Sequence, residues 1–102
     1  MQTEKILLQA PTGIPARMVT DYVNRYLIAL PVAKTALEKS DYGHMRVLGH
    51  RLSGTGGAYG IPALTRIGSA IEDAARRDDT PELRRQVSDL EAYLSRLEIL
   101  EG

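Results

Sequence analysis

The side chains that could do chemistry in this 102-residue sequence are few: two histidines, 13 acidic and 13 basic residues, and no cysteine. Without Cys there is no thiolate nucleophile, no disulfide and no sulfur ligand for a structural zinc. Two histidines alone make a poor metal set, so no metal site is expected. The acidic pairs Glu72-Asp73 and Asp78-Asp79 read as solvated helix ends and not as an acid and base flanking a substrate. Imidazole is what remains. It is nucleophilic when neutral and titrates near physiological pH, which suits a transient covalent carrier.

Of the two histidines, His50 has the distinctive setting. The run Gly43 to Gly60 reads as a helix yet holds six of the nine glycines. Each interior Gly costs a helix about 1 kcal/mol relative to Ala, so something other than helix stability set these residues. At about 100° per residue, His50 points away from the apolar side marked by Leu48 and Leu52. Gly43, Gly54 and Gly57 fall within about 40° of it, with Arg46 beside them and Val47 and Ser53 at about 60°. The imidazole is expected to stand in a cleared strip that another protein's backbone can approach. Arg46 and Arg51 could offset charge on an attached phosphoryl group. His44 lies off the strip and reads as an ordinary surface residue.

The elements around this helix follow from apolar spacing of three and four, which recurs almost everywhere, so the expected fold class is all-α. A first helix begins near Pro15 and carries Met18, Val19, Tyr22, Val23, Tyr26, Leu27 and Leu30 on one face. Pro31 should kink or break it, with Val32, Ala33, Ala36 and Leu37 carrying the stripe onward. Asp41 is the expected cap of the histidine helix, whose buried side is Met45, Leu48, Leu52 and Tyr59. Leu64, Ile67, Ile71, Ala74 and Ala75 define the next helix, ending at Arg76-Arg77. Thr80 caps the last, striped by Leu83, Val87, Leu90, Leu94 and Leu97. Short connections predict an antiparallel up-down four-helix bundle. Thr3 to Ala10 is expected to form a short N-terminal accessory helix.

The balance of charges is zero, which argues against a nucleic-acid module, since such binding rests on surplus Lys and Arg. No apolar run approaches the roughly 20 residues of a membrane span, and the N-terminus lacks the layout of a signal peptide. The chain is read as one cytoplasmic domain over residues 1–102 with a core of about 14–98, binding neither nucleic acid nor membrane.

His50-Arg51-Leu52-Ser53-Gly54, followed by Gly60 and Leu64, resembles the motif of histidine-containing phosphotransfer (HPt) domains. In that family the phospho-accepting His is followed by an apolar residue two on, usually Lys three on, Gly four on, Gly ten on and an apolar residue fourteen on. Leu52, Gly54, Gly60 and Leu64 meet four of those positions; Ser53 stands where the Lys is usual. The resemblance implies a phosphorelay. His50 would accept a phosphoryl group at Nε2 from a receiver-domain aspartate or a sensor or hybrid histidine kinase and pass it to another receiver aspartate. It further implies Arg46, Arg51 and Ser53 as candidates to stabilise the phosphoryl group and Gly43, Val47, Gly54 and Gly57 as the docking surface. No cofactor is implied in this chain, the Mg²⁺ belonging to the receiver, and no ATP site is expected.

Two rivals compete with this reading. Gly54 to Gly60 superficially looks like a phosphate cradle, but it lacks the following Lys-Ser/Thr and the preceding strand that such loops need. A helical adaptor or dimerisation module is the stronger one, with the glycines serving close packing. It requires Gly43, Gly54 and Gly57 to be buried against another helix.

Overall fold

The computed structural model describes residues 4–101. Four helices follow one another, α1 (Ala16–Glu38), α2 (Tyr42–Thr55), α3 (Pro62–Arg76) and α4 (Thr80–Arg96), flanked by two short strands, β1 (Ile6–Gln9) and β2 (Leu97–Leu100). The helices pack in a ring, α1 on α2, α2 on α3, α3 on α4 and α4 on α1. This is a four-helix bundle. Tyr22, Met45, Leu52, Ile61, Leu64, Ile71, Leu83, Leu90 and Leu94 fill its centre with almost no solvent exposure, each large apolar side chain contributing about 1.5–3 kcal/mol by leaving water.

The chain's punctuation explains where the helices start. Pro15 precedes α1 with extended backbone, where its missing N–H is no loss. The Asp41 carboxylate accepts from His44 N at 3.1 Å and caps α2, and Pro62 opens α3. At α4 the cap is Asp79, which accepts from Glu82 N at 3.2 Å, and not the expected Thr80. Asp and Thr are both good caps, but Asp79 is the residue left outside the first turn.

Several expectations change. Residues 6–9 form a strand where an accessory helix was predicted; Thr3 lies outside the described residues. β1 pairs in parallel with β2, Ile6 against Leu97 and Gln9 against Leu100, and Leu97 accordingly begins a strand instead of closing the α4 stripe. A partner some ninety residues away supplies the hydrogen bonds that local periodicity cannot reveal. Lys5 pairs with Glu98 at 2.9 Å and Arg96 donates to Glu4 O at 2.7 Å, fastening the two ends.

Pro31 does not break α1, which runs unbroken to Glu38. It lies on the exposed side, where water can reach the Leu27 carbonyl that a proline leaves without a donor. Met18 and Val32, read as part of the buried stripe, are exposed. α2 stops at Thr55, and residues 56–60 form a turn closed by Gly60 at φ +76°. Tyr59, in that turn, stacks on Tyr22 with ring centres 4.1 Å apart.

The closest approach in the bundle lies between α2 and α3. A Cβ placed on Gly49 would stand 2.5 Å from Glu72 N and 2.7 Å from Gly68 O, and one on Gly68 would stand 2.5 Å from Ser53 N. Both contacts are with backbone, which cannot swing aside. Gly54, by contrast, has no atom within 4 Å of such a Cβ.

Gly49→Ala is therefore expected to destabilise the fold by about 1–3 kcal/mol through overpacking, offset in part by helix propensity. Gly54→Ala is expected to be neutral or stabilising by up to about 1 kcal/mol. Thermal melts of the two variants check the contrast, a drop of roughly 4–8 °C accompanying each kcal/mol lost. A second expectation concerns Tyr22, whose hydroxyl meets Thr55 Oγ1 at 2.6 Å. Burial pushes its pKa up to about 12, the Thr55 bond pulling the other way. The folded chain thus holds this proton more tightly than the unfolded chain, so the stabilisation is whole below about pH 10 and is lost toward about pH 12, roughly 2–3 kcal/mol in all. Urea unfolding at about pH 9 and about pH 11.5 should show this loss, and Tyr22→Phe should flatten it.

Candidate functional site

His50 projects from the middle of α2 on the side opposite Leu48 and Leu52, which are buried. Its side chain is 76% exposed. Gly43, Gly54 and Gly57 are all exposed. Apart from their own chain neighbours and helix backbone, the only atoms among the described residues within 4 Å of a hypothetical Cβ on any of them are Asp41 Oδ1 and Thr65 Oγ1, each at 3.7 Å. The strip expected from helical phase is thus open in three dimensions, and α2 presents a ring nitrogen with little around it to block a large partner.

The imidazole is held from the neighbouring helix. His50 Nδ1 lies 3.2 Å from Glu72 Oε2 on α3, and Arg76 Nη2 donates to that same oxygen at 3.0 Å. Glu72 is no solvated helix end: its side chain is only 15% exposed. Sequence reading missed it because the contact crosses helices. The available signal was its place on the α3 side that faces α2, next to the small residue Gly68.

Ser53 Oγ meets Ser69 Oγ of α3 at 3.0 Å, one turn along α2 from His50. His50 with Glu72 and Ser53 with Ser69, continued past the end of α2 by Gly57 beside Thr65, form a ladder in which numbers rise along α2 and its turn and fall along α3. Arg46 and Arg51 are exposed and make no ion pair among the described residues. Arg46 lies one turn before His50, on the same side.

Beside this face a groove runs between α1 and α2, lined by Ile28, Val32, Gly43, Val47 and Arg51. Ile28 and Val32 are 76% and 57% exposed. Of the residues expected at a docking surface, the structure brings Gly43 and Val47 to this groove, while Gly54 lies further along α2 and Gly57 in the turn that follows it. Ile28 and Val32 are additions from α1. Ile28 falls outside the apolar stripe, and that phase mismatch was the sign that it faces outward.

A family model supplies the comparison that decides the family: the Hpt domain model matches residues 17–99. The chain belongs to the Hpt domain family. Searches of curated proteins and of solved structures each found no match. Hpt domains serve phosphotransfer in two-component signalling, and the matched region contains His50 and the four helices except for Ala16, the first residue of α1. β1 lies outside it, so the parallel strand pair is fastened across the end of the Hpt bundle by residues the family model does not include. Among the described residues no three His, Asp or Glu side chains gather as a metal site, and no helix is long and apolar enough to cross a membrane.

Proposed function

We propose that this Hpt protein is a phosphocarrier of a two-component phosphorelay with His50 as the phospho-acceptor. The observation that carries the reading is the exposed imidazole on an open strip of α2 within a chain of this family. Attack by a ring nitrogen on a receiver's aspartyl phosphate forms a P–N bond. The P–O bond to the aspartate breaks, and its electron pair returns to the carboxylate. Onward transfer to a second receiver runs the same exchange in reverse. The receiver brings the Mg²⁺ and the acidic pocket, and this chain supplies the nucleophile and room for the partner. A sensor or hybrid histidine kinase stands upstream, and the same reading puts the protein in the cytoplasm.

Gly43 and Val47, with the apolar side chains of Ile28 and Val32 beside them, give a receiver an apolar footing next to the acceptor, and Gly54 and Gly57 leave its backbone room. Arg46 and Arg51, without an ion-pair partner among the described residues, are guanidiniums available to phosphoryl oxygens, and the Ser53 hydroxyl offers a neutral donor where the family usually has Lys. We likewise read the bundle as antiparallel up-down, a reading supported by early α1 (Thr20 to Leu27) bordering late α4 (Leu94, Ser95), by late α1 (Lys34 to Glu38) bordering Arg84 to Glu91, and by Tyr22 of early α1 meeting Thr55 at the end of α2. The adaptor reading required the three strip glycines to be buried; the glycines that serve close packing are instead Gly49, Gly56 and Gly68.

Two experiments test the proposal. Incubation with a phosphorylated receiver should label the protein with an acid-labile, base-stable phosphoryl group that His50→Gln abolishes; label retained in that variant would remove His50 from the role. Gly54→Leu should keep the fold and cut transfer from the receiver by about tenfold or more through steric clash. Labelling by phosphoramidate, a donor small enough to need no docking surface, should be unchanged in that variant. Equal loss with both donors would show that Gly54 matters to His50 itself and not to access.

A further inference from the structure

We propose that two copies of this chain associate through the free edge of β1, the two β1 strands running antiparallel about a twofold axis at Leu7 to give a four-stranded sheet in the order β2-β1-β1-β2. The contact is independent of the phosphocarrier reading. Among the described residues the sheet of one chain has two strands only. β2 is the inner one: Thr20, Asn24 and Leu27 of α1 border Leu97, Glu98 and Ile99, and the Leu97 N–H is taken up by Leu94 O. β1 packs mainly on β2 and turns its other edge outward. Two strands alone are marginally stable, and parallel strands are ordinarily covered on both faces.

The backbone phase identifies which groups stand on that edge. Gln9 is level with Leu100, and Ala10 N donates to Leu100 O at 3.2 Å, so Ile6, Leu8 and Ala10 direct their N–H and C=O groups at β2. Alternate residues of a strand point the other way, which puts those of Lys5, Leu7 and Gln9 outside. Sheet edges are ordinarily blunted by a charge, a proline or a bulge. Ile6-Leu7-Leu8-Gln9 carries neither charge nor proline, and Leu7 is 58% exposed.

A twofold interface pairs a strand with its own copy in antiparallel sense, and charge then selects the register. Centred on Leu7, the ladder sets Leu7 against its counterpart and Lys5 against Gln9, so outward N–H groups meet outward C=O groups. Sliding the centre toward Ile6 brings the two Lys5 ammoniums toward each other. Sliding it to Leu8 sets Pro11, which has no N–H, opposite Lys5. In the register centred on Leu7 no like charges face one another, and Lys5 is already paired with Glu98 of its own chain at 2.9 Å. The two leucines meet as a cross-strand pair. One short strand from each copy is less than a stable interface buries, so the dimer is weak and forms as concentration rises.

Sedimentation of the full chain from about 10 µM to about 1 mM, the range of weak contacts, should show an apparent mass rising toward that of two chains. A chain that stays monomeric throughout would overturn the proposal. Leu7→Lys sets two ammoniums on the axis at an exposed position and should hold the chain monomeric with its helical circular dichroism unchanged; association equal to that of the unmodified chain would place the interface elsewhere. Single thiols report the register, since the sequence has no cysteine. Under mild oxidation Leu7→Cys should form a disulfide-linked dimer, the paired Cα atoms standing about 5.5 Å apart. Gln9→Cys should not, its counterpart lying roughly 13 Å away along the strand, and equal cross-linking of the two variants would refute the register. A monomer whose Leu7 and Gln9 amides gain protection from hydrogen exchange only when a phosphorylated receiver is added would give the edge to the receiver and overturn self-association.

Discussion

The backbone contact between α2 and α3 at Gly49 and Gly68 is the constraint on which the rest of the site depends. Each glycine faces the other's backbone at distances where no Cβ fits, so the two helix axes are nearer than ordinary side chains allow. Helices packed through side chains lie roughly 8–10 Å apart; here glycine meets backbone instead, and Glu72, whose own N and Cα lie against Gly49, is brought up beside His50. Close approach also explains why α2, the helix with the most glycines, tolerates their cost in propensity.

The glycines of α2 and the turn after it therefore divide by direction. Gly49 and Gly56 look inward and bring α3 close; Gly43, Gly54 and Gly57 look outward and keep the surface bare. A sequence shows only that glycines are abundant, and helical phase is what separates the two sets. Phase placed the outward set around His50, because those positions share one face with it. It did not reveal the inward set, because Gly49 does its work against residues of another helix whose rotation the α2 sequence does not contain.

The same distinction runs through the fold. Apolar spacing identified all four helices and most of their buried residues, such as Leu64, Ile71, Leu83, Val87, Leu90 and Leu94, since period and burial are local properties. It misplaced Met18 and Val32 because a stripe spanning two adjacent helical columns does not say which column the neighbours cover. β1 and β2 were illegible for a related reason: four residues are too few to show alternation, and the pairing that makes Ile6–Gln9 a strand comes from Leu97–Leu100. At the site, His50 could be read from one helix. Glu72 could not, and it was taken for a solvated end because its partners lie one turn away and across the seam.

The ladder along that seam gives the site a polarity. Toward the end of α2 it offers the Ser53 and Ser69 hydroxyls, hydrogen-bonded to each other at 3.0 Å. Toward its beginning the same pairing sets Arg46 level with Arg76. On the carrier reading, charge on a phosphoryl group would be met mainly from the beginning of α2, whereas the Lys usual at the Ser53 position would meet it from the other side. A hydroxyl pair has one O–H left to donate to a phosphoryl oxygen while the other makes the internal bond, and it brings no net charge. Arg76 is already bound to Glu72, which leaves Arg46 the freer of the two guanidiniums. A long, exposed Arg is a less fixed partner than a short side chain on the rigid face of a helix. On the carrier reading the imidazole has a hydrogen-bond partner within the bundle, Glu72, whereas a phosphoryl group on it would meet only a long, exposed guanidinium and a neutral hydroxyl pair. Such a division would suit a group meant to be passed on, since contacts of that kind are ones a receiver's Mg²⁺ can outcompete.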